Sequence, residues 1–256
     1  MTSLPARATM LTFQPMIDSE AVRLIARYYR IALDEEDHLP ICAAIRARLR
    51  GGDGNTPLLY GEGFTLTSPY PIAQYFDAAL PPERRLIPPE GPLAAEVAAD
   101  WQAYNGGAGT DVAVFAYFHL LPARALMQPI FAAPVSWIER TLLPLTYPVM
   151  RQLISLKLKL SVESAAAAAA RIEASVAATD RRIADGRRYL AGDRLTLGDI
   201  ALCASFAPLF LPRGYGALMP PVEAMPDPLR TLAQALRATP SAAFVQRLYD
   251  SDFAAG

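Results

Sequence analysis

The hydrophobic pattern of the chain changes from mixed β and α signals to purely helical ones after about residue 80. Before that point, short apolar runs alternate with helical spacing and predict the order β-α-β-α-β-β-α. From Leu93 onward every periodic segment is helical. The proline-rich stretch between them indicates a linker. The sequence therefore predicts an α/β domain over 8–80, a linker over 81–92 and an all-helical domain over 93–256.

The first unit contains two apolar runs that predict strands, at 10–13 and 31–34, and a hairpin at 58–67 around Gly61-Glu62-Gly63. Helical spacing follows each of the first two strands, at 20–29 and 41–49. The first of these helices is expected to be capped by Asp18 or Ser19. Parallel strands need a connection of about a dozen residues or more, so we expect a mixed sheet with an antiparallel hairpin at its edge.

A helix start follows the hairpin at Ser68-Pro69. Serine before proline is typical of an N-cap followed by the first helical position. The free N–H groups and the dipole of a helix start favour negative charge, so we expect that a ligand carboxylate can dock at Ser68.

The second unit is predicted to contain helices at 93–104, 148–160, 164–185 and 200–206, and two more that start near Asp227 and Thr239. Leu195-Thr196-Leu197-Gly198-Asp199-Ile200 matches a capping box with a hydrophobic staple: Thr196 is the N-cap, Asp199 reaches back to its N–H, and Leu195 packs on Ile200. The helix that follows is almost wholly apolar and is expected to be buried.

The stretch near 106–146 is very apolar, but its prolines interrupt the run of about 20 residues that a membrane span needs. A spanning helix is therefore disfavoured. The simplest interpretation of this stretch is helices packed in the interior. Two alternatives remain: a lid over a pocket, or a contact with the surface of a membrane.

Composition narrows the function classes. The 256 residues are 52% hydrophobic and include 24 basic and 25 acidic residues, so no basic footprint for nucleic acid is present. Cys42 and Cys203 are far apart, and His38 and His119 are isolated, so no metal site is predicted.

The N-terminal residues lack the apolar run of a signal peptide, and we expect a cytoplasmic protein.

With both halves in view, the chain resembles the cytosolic-type glutathione S-transferases of the bacterial-like, serine type. The matching stretches are 11–29, 56–76, 189–204 and 235–249, and the capping box matches the family's C-terminal-domain folding motif. The resemblance implies the glutathione transferase fold, with a thioredoxin-like N-terminal domain that binds glutathione and an all-α C-terminal domain that supplies a second-substrate pocket.

The resemblance also implies site residues. Ser19 is the catalytic serine that stabilises the glutathione thiolate, and Pro57 is a cis-proline whose neighbour Thr56 pairs with the cysteinyl unit. Thr67 and Ser68 hold the γ-glutamyl group, although Thr67 departs from the acidic or amide residue usual there. The second-substrate pocket is expected from Met16, Ile17, Trp101, Tyr104, Phe210 and Tyr215.

The function implied is conjugation of glutathione to a small apolar electrophile. Glutathione is the co-substrate, no metal is expected, and the protein is expected to be a homodimer. Two alternatives stay open. One is a non-catalytic protein of the same fold that binds ligands or partners, and the other is a glutathione-dependent isomerase or reductase.

Overall fold

The computed structural model describes residues 4–254, so the last two positions of the predicted helical domain, 255 and 256, lie outside the described residues. The N-terminal unit has four strands, β1 (Arg7–Thr12), β2 (Ala32–Asp37), β3 (Leu58–Gly61) and β4 (Phe64–Thr67), in the order β2-β1-β3-β4. β1 pairs in parallel with β2 and antiparallel with β3, and β3 pairs antiparallel with β4. The predicted mixed sheet with a hairpin edge is confirmed.

Three helices complete this unit: α1 (Ile17–Tyr29), α2 (Pro40–Leu49) and α3 (Pro69–Asp77). The predicted order of elements is confirmed. β2 extends three residues beyond the predicted strand, because its acidic end still pairs with β1 while half of its side chains face solvent. The predicted cap of α1 is wrong: Met16 is the N-cap, and Asp18 and Ser19 lie inside the first turn.

Asp77, at the end of α3, holds the predicted linker in place through hydrogen bonds to its backbone. Its carboxylate accepts hydrogen bonds from the backbone N–H groups of Leu86 and Ile87 at 2.8 and 2.9 Å and from the Tyr29 phenol. Leu86 is fully buried, and its carbonyl accepts a hydrogen bond from the Leu197 amide. The segment between α3 and α4 therefore packs against both halves of the chain.

The second half is helical. Its elements are α4 (Pro92–Trp101), a π-helical segment (Gln102–Ala108), α5 (Gly109–Leu120), α6 (Arg124–Ala132), α7 (Trp137–Lys157), α8 (Val162–Ile183), α9 (Leu197–Phe210), α10 (Asp227–Arg237) and α11 (Pro240–Ser251). The starts predicted at Asp227 and Thr239 are confirmed, with Thr239 as the N-cap of α11.

The apolar stretch near 106–146 forms α5, α6 and the first half of α7, and α7 starts before the predicted 148. Its prolines are tolerated within helices. Pro148 cannot donate to the carbonyl of Pro144, and the Arg124 guanidinium donates to that carbonyl instead, at 2.8 Å. A side chain from α6 thus replaces the missing backbone donor.

α9 lies at the centre of the molecule, and all of its residues are buried. The predicted capping box at its start is confirmed. The Asp199 carboxylate accepts hydrogen bonds from the Thr196 amide at 2.9 Å and from the Leu190 amide at 2.7 Å. Without these bonds two buried N–H groups would lack partners, at a cost of about 1–3 kcal/mol each.

A buried carboxylate connects the two halves. Glu20, in α1, accepts hydrogen bonds from the Tyr249 phenol at 2.8 Å and from the Gly216 amide at 3.1 Å, and pairs with Arg23 at 3.0 Å. These partners come from three separate parts of the sequence, so the network holds α1 against the helical half.

Within residues 4–254, none of the helices combines the length and apolarity required to cross a membrane.

Candidate functional site

A cavity of about 420 Å³ lies between the start of α1 and the helical half. The N-terminal side contributes Phe13, Pro15, Met16, Ile17 and Asp18. The helical side contributes residues of the π segment, α5 and the end of α7, among them Asn105, Thr110, Ala113, Tyr117, Ile154 and Lys157. The lining is mostly apolar with a few convergent polar groups, as is typical of small-molecule sites.

The first turn of α1 faces this cavity. The first N–H groups of a helix have no partner within it, and the N-cap Met16 provides no side-chain acceptor for them. Ile17 and Asp18, whose amides belong to this turn, line the cavity. The positive end of the helix dipole at this turn would therefore favour a negatively charged atom in the adjoining cavity.

Asp18 is the acidic group of the cavity. Its carboxylate accepts a hydrogen bond from Asn105 Nδ2 at 2.9 Å. Burial raises the pKa of Asp18, while the Asn105 hydrogen bond and the charge of Lys157 lower it by less. The carboxyl is therefore easier to protonate than an exposed aspartate.

The π-helical segment positions Asn105. Asn105, Gly106 and Gly107 are poor helix formers, and the chain widens there between α4 and α5. The Tyr104 carbonyl accepts a hydrogen bond from Ser205 Oγ at 3.1 Å, and a Cβ on Gly109 would lie only 2.9 Å from that hydroxyl oxygen. π segments inside helices occur frequently at functional sites.

The predicted glutathione-binding residues lie together at one edge of the sheet. The Thr56-Pro57 peptide is cis. Leu58 pairs with Thr67, and the Ser68 amide donates to the Pro57 carbonyl at 3.4 Å. Thr56 Oγ1 contacts the Met16 sulfur at 3.8 Å, so this edge lies beside the cavity.

The start of α3 is poor in anion donors. Ser68 is the N-cap, with a positive φ of 68°, and its side chain makes no capping hydrogen bond. Pro69 and Pro71 occupy the first and third positions of the helix and have no N–H. Tyr70 is left as the donor of the first turn, which is less than expected for a carboxylate dock.

Ser19 lies away from the cavity surface. It is fully buried, its hydroxyl is hydrogen-bonded to that of Thr12 in β1, and it is absent from the lining of the cavity described above. Its place is the third position of α1, pointing toward the sheet. The neighbouring residues Ile17 and Asp18 face the cavity instead.

The structure brings together part of the predicted second-substrate pocket. Met16 and Ile17 line the cavity. Trp101, Tyr104 and Phe210 are buried in the hydrophobic core, and the Tyr104 phenol is hydrogen-bonded to Thr179 at 3.0 Å. The Tyr215 hydroxyl is buried, and none of these four residues lines the cavity. Aromatic residues near helix ends are most often core, and Trp101, Tyr104 and Phe210 follow that rule, whereas Tyr215 lies half-buried in the segment after α9.

The sequence predictions missed Asp18 as a cavity group, together with Asn105 and Lys157. The signal available was Asn105-Gly106-Gly107, three poor helix formers inside a helical segment. Nothing local to the sequence indicates that these residues meet the first turn of α1.

No family model matches this sequence, and neither does any curated protein. Solved structures do match it. The glutathione S-transferase CsGST63524 of Ceriporiopsis subvermispora, in complex with glutathione, is 14% identical with a TM-score of 0.62, over 97% of this chain and 98% of that one. A glutathione S-transferase from Sinorhizobium meliloti 1021 is 19% identical with a TM-score of 0.53, over 93% and 91%.

The chain has the glutathione transferase fold. A third similar structure, a glutathione S-transferase from Methylobacterium radiotolerans in complex with glutathione sulfonate, is 20% identical with a TM-score of 0.50, over 93% of each chain. In terms of the glutathione transferase fold, residues 7–77 form the thioredoxin-like domain and α4 to α11 form the all-α domain. The predicted fold class is confirmed.

Proposed function

We propose that this protein is a glutathione transferase, which binds glutathione along the Thr56-Pro57 and Thr67-Ser68 edge and joins its sulfur to a small apolar electrophile. The observation that carries the proposal is the position of the cavity. It touches the first turn of α1 and reaches the Thr56-Pro57 edge through Met16. Two solved proteins of the same fold hold glutathione or glutathione sulfonate.

In the proposed reaction the thiol loses its proton to solvent and the thiolate attacks an electrophilic carbon. A C–S bond forms, and the displaced electron pair leaves with a leaving group or moves onto the acceptor. A free thiol with a pKa of about 8.5 is only a few per cent thiolate at neutral pH. Each hydrogen bond to a charged group is worth about 1.5–3 kcal/mol, so one or two backbone donors are enough to change that fraction substantially.

The geometry favours the first-turn amides of α1 as these donors. The resemblance assigns this role to Ser19, whose hydroxyl is engaged with Thr12 and buried. We propose that Ser19 acts by fixing the first turn of α1 against β1, and that the Ile17 and Asp18 amides, on the cavity side, face the sulfur.

A second candidate is a carrier of apolar ligands without conjugation. The specific observation in its favour is the loss of two first-turn donors at α3 to Pro69 and Pro71. Such a protein would use the same cavity, and its ligand affinity would not depend on glutathione.

Together with the transferase proposal we carry forward a cytoplasmic location, expected from the N-terminal residues, and a homodimer with a role in detoxification, which the resemblance implies. A molecular mass in solution equal to one chain of 27.7 kDa would contradict the homodimer.

Two experiments test the function. Calorimetry measures the binding of glutathione, and an activated chloronitrobenzene serves as the electrophile in a turnover assay. We expect binding of glutathione and formation of the conjugate. Glutathione binding without turnover, or binding of apolar dyes without glutathione, would favour the carrier. Absence of both would reject both candidates.

A cavity-filling variant tests the site. Ala113→Leu places three more carbons in the cavity, so we expect KM for the electrophile to rise at least severalfold while glutathione affinity is kept. Ala103→Leu, an exposed position of the π segment outside the lining, is the matched control. An unchanged KM in Ala113→Leu would place the electrophile elsewhere.

A further inference from the structure

α7 carries a continuous row of exposed apolar side chains, which we call the α7 apolar face. Its members recur every three or four residues along the helix, so they lie on one side of it. They are Ile138, Leu142, Leu145, Val149, Leu153 and Leu156. Leu145 is 78% exposed and Leu156 67% exposed.

This face is separate from the side of α7 that packs on the protein. The buried positions of the helix are Glu139, Leu143, Tyr147 and Met150, which form a row of their own. Six large apolar side chains therefore remain in solvent on a helix whose packing side is already occupied. A contiguous apolar surface of this kind indicates an interaction site.

Trp137 begins α7 and is 74% exposed. Tryptophan is an aromatic residue enriched where protein meets the headgroup region of a membrane, because its ring is apolar and its N–H is polar. Helices that lie in a membrane interface carry Trp, Phe and Leu on their apolar side, and Trp137 stands next to the start of the α7 apolar face.

The charged residues within 112–162, the segment that contains α7, are almost all of one sign. Residues 112–162 include five basic residues and a single acidic one, Glu139, although basic and acidic residues are almost equal over the whole chain. Glu139 is 7% exposed: its carboxylate lies 2.7 Å from His38 Nδ1 and accepts a hydrogen bond from the Leu39 amide at 2.7 Å. Arg151 and Lys159 are exposed, as are Lys157 at the cavity wall and Arg124 beside Pro144. α7 itself therefore has no exposed carboxylate, and the next exposed one in the chain is Glu163 in α8.

A second row of exposed apolar side chains starts near the contact between Glu139 and residues 38 and 39. Ile41, Ile45 and Leu49 of α2 are exposed, and the two residues before α2, His38 and the N-cap Leu39, are joined to the first turn of α7 through Glu139. α2 also contains arginines and no acidic residue. The same combination of apolar side chains and cations therefore occurs on both helices.

We propose that the α7 apolar face binds the surface of a membrane rich in anionic lipids, with Trp137 and the leucines in the headgroup boundary and the arginines and lysines near lipid phosphates. A lipid surface with negative charge satisfies both the apolar row and the cations. A second copy of this chain fits less well, because two α7 helices facing each other would bring their cations together and α7 has no exposed carboxylate of its own to neutralise them. This inference concerns a surface outside the cavity and does not depend on the proposed function.

Vesicle binding tests the proposal directly. We would mix the full chain with vesicles of phosphatidylcholine alone and with vesicles containing about one-third phosphatidylglycerol, and follow sedimentation and tryptophan emission. Trp101 is buried and Trp137 is exposed, so a blue shift would report Trp137. We expect binding and a blue shift with anionic vesicles only, and weaker binding at high salt.

Two double variants separate the apolar and charge contributions. Leu145→Gln with Leu156→Gln should weaken binding at least about tenfold. Arg151→Gln with Lys159→Gln should weaken it roughly thirtyfold, since each cation near an anionic surface contributes about a fivefold factor. All four side chains are exposed, so the fold should be kept, which circular dichroism can check.

The matched controls are Leu218→Gln, an exposed leucine outside α7, and Arg237→Gln, an exposed arginine of α10. We expect both to bind like the wild type. Equal binding to neutral and anionic vesicles, no binding to either, or full binding by the double variants would overturn the proposal. So would a dimer in sedimentation experiments that Leu145→Gln with Leu156→Gln converts to monomer, because a second copy would then cover this face.

Discussion

The carboxylate of Asp18 accepts a hydrogen bond from the side-chain amide of Asn105 at 2.9 Å, and this bond joins the first turn of α1 to the π segment of the helical half. Both residues line the cavity. Burial raises the pKa of Asp18 and the Asn105 bond opposes that effect. The protonation state of this cavity group therefore depends on a residue of the other domain.

Replacing Asn105 by alanine should raise the pKa of Asp18 further, because the hydrogen bond that favours the ionised form is lost. Titration of the Asp18 carboxyl by carbon-detected NMR measures this pKa. Asn55→Ala, at an exposed asparagine outside the cavity lining, is the control and should leave the titration unchanged. The same pKa in Asn105→Ala as in the wild type would mean that the two side chains do not interact in solution.

Asp199 should make stability depend on pH between about 4 and 6. Burial raises its pKa from 3.8 to about 6, although the Leu190 and Thr196 donors oppose this. The folded state therefore holds the proton more tightly than the unfolded state. Protonated Asp199 therefore adds to the free energy of unfolding. This added stability is fully present below the pKa of the unfolded chain and is lost as pH rises through about 6, a change on the order of 3 kcal/mol.

Urea unfolding at several pH values, compared between the wild type and Asp199→Asn, isolates this contribution, because asparagine does not titrate. We expect the difference in free energy of unfolding between the two proteins to change across this window. A constant difference would show that the carboxylate is ionised in the folded state at acidic pH. Asp227→Asn, at an exposed aspartate at the start of α10, provides the control.

Ser19→Ala tests which donor faces the sulfur. Because the Ser19 hydroxyl bonds to Thr12 and is absent from the cavity lining, we expect kcat/KM for conjugation to stay within about threefold and the free energy of unfolding to fall by about 0.5–1.5 kcal/mol. Thr12→Val should show the same pattern. A loss of turnover by two orders of magnitude in Ser19→Ala, with stability kept, would return the catalytic role to its hydroxyl.

Restoring a backbone donor at α3 should strengthen glutathione binding. Pro71→Ala adds an N–H in the first turn, and one further hydrogen bond to a carboxylate is worth about 1.5–3 kcal/mol, or roughly tenfold or more in Kd. Calorimetry measures the change. Pro228→Ala, at the corresponding end of α10, should not alter glutathione affinity. Unchanged binding in Pro71→Ala would place the ligand carboxylates away from α3.

Features that depend on neighbouring residues were predicted well. The hairpin follows from Gly61-Glu62-Gly63 between two β-prone runs, and the capping box follows from Thr196 and Asp199 at a spacing of three. In both cases the interacting groups lie within a few residues of each other, so the local sequence determines the geometry.

Features that depend on distant residues were not predictable in this way. The spacing of Trp101 and Tyr104 marks a helix, but it cannot say whether that side of the helix faces a cavity or the core. Ser19 matches a sequence pattern, yet its direction is set by the packing of α1 on β1. The donor for the Pro144 carbonyl that Pro148 cannot supply is Arg124, which only the fold brings near.

One consequence follows from the position of α7. Its last residues, Ile154 and Lys157, form a wall of the cavity, while the α7 apolar face lies on the same helix. With that face on a bilayer, the cavity would lie about one helix diameter from the hydrocarbon phase, where partitioning concentrates a lipophilic compound well above its aqueous level. Turnover of such a compound would then depend on its amount per unit of lipid rather than on its concentration in water.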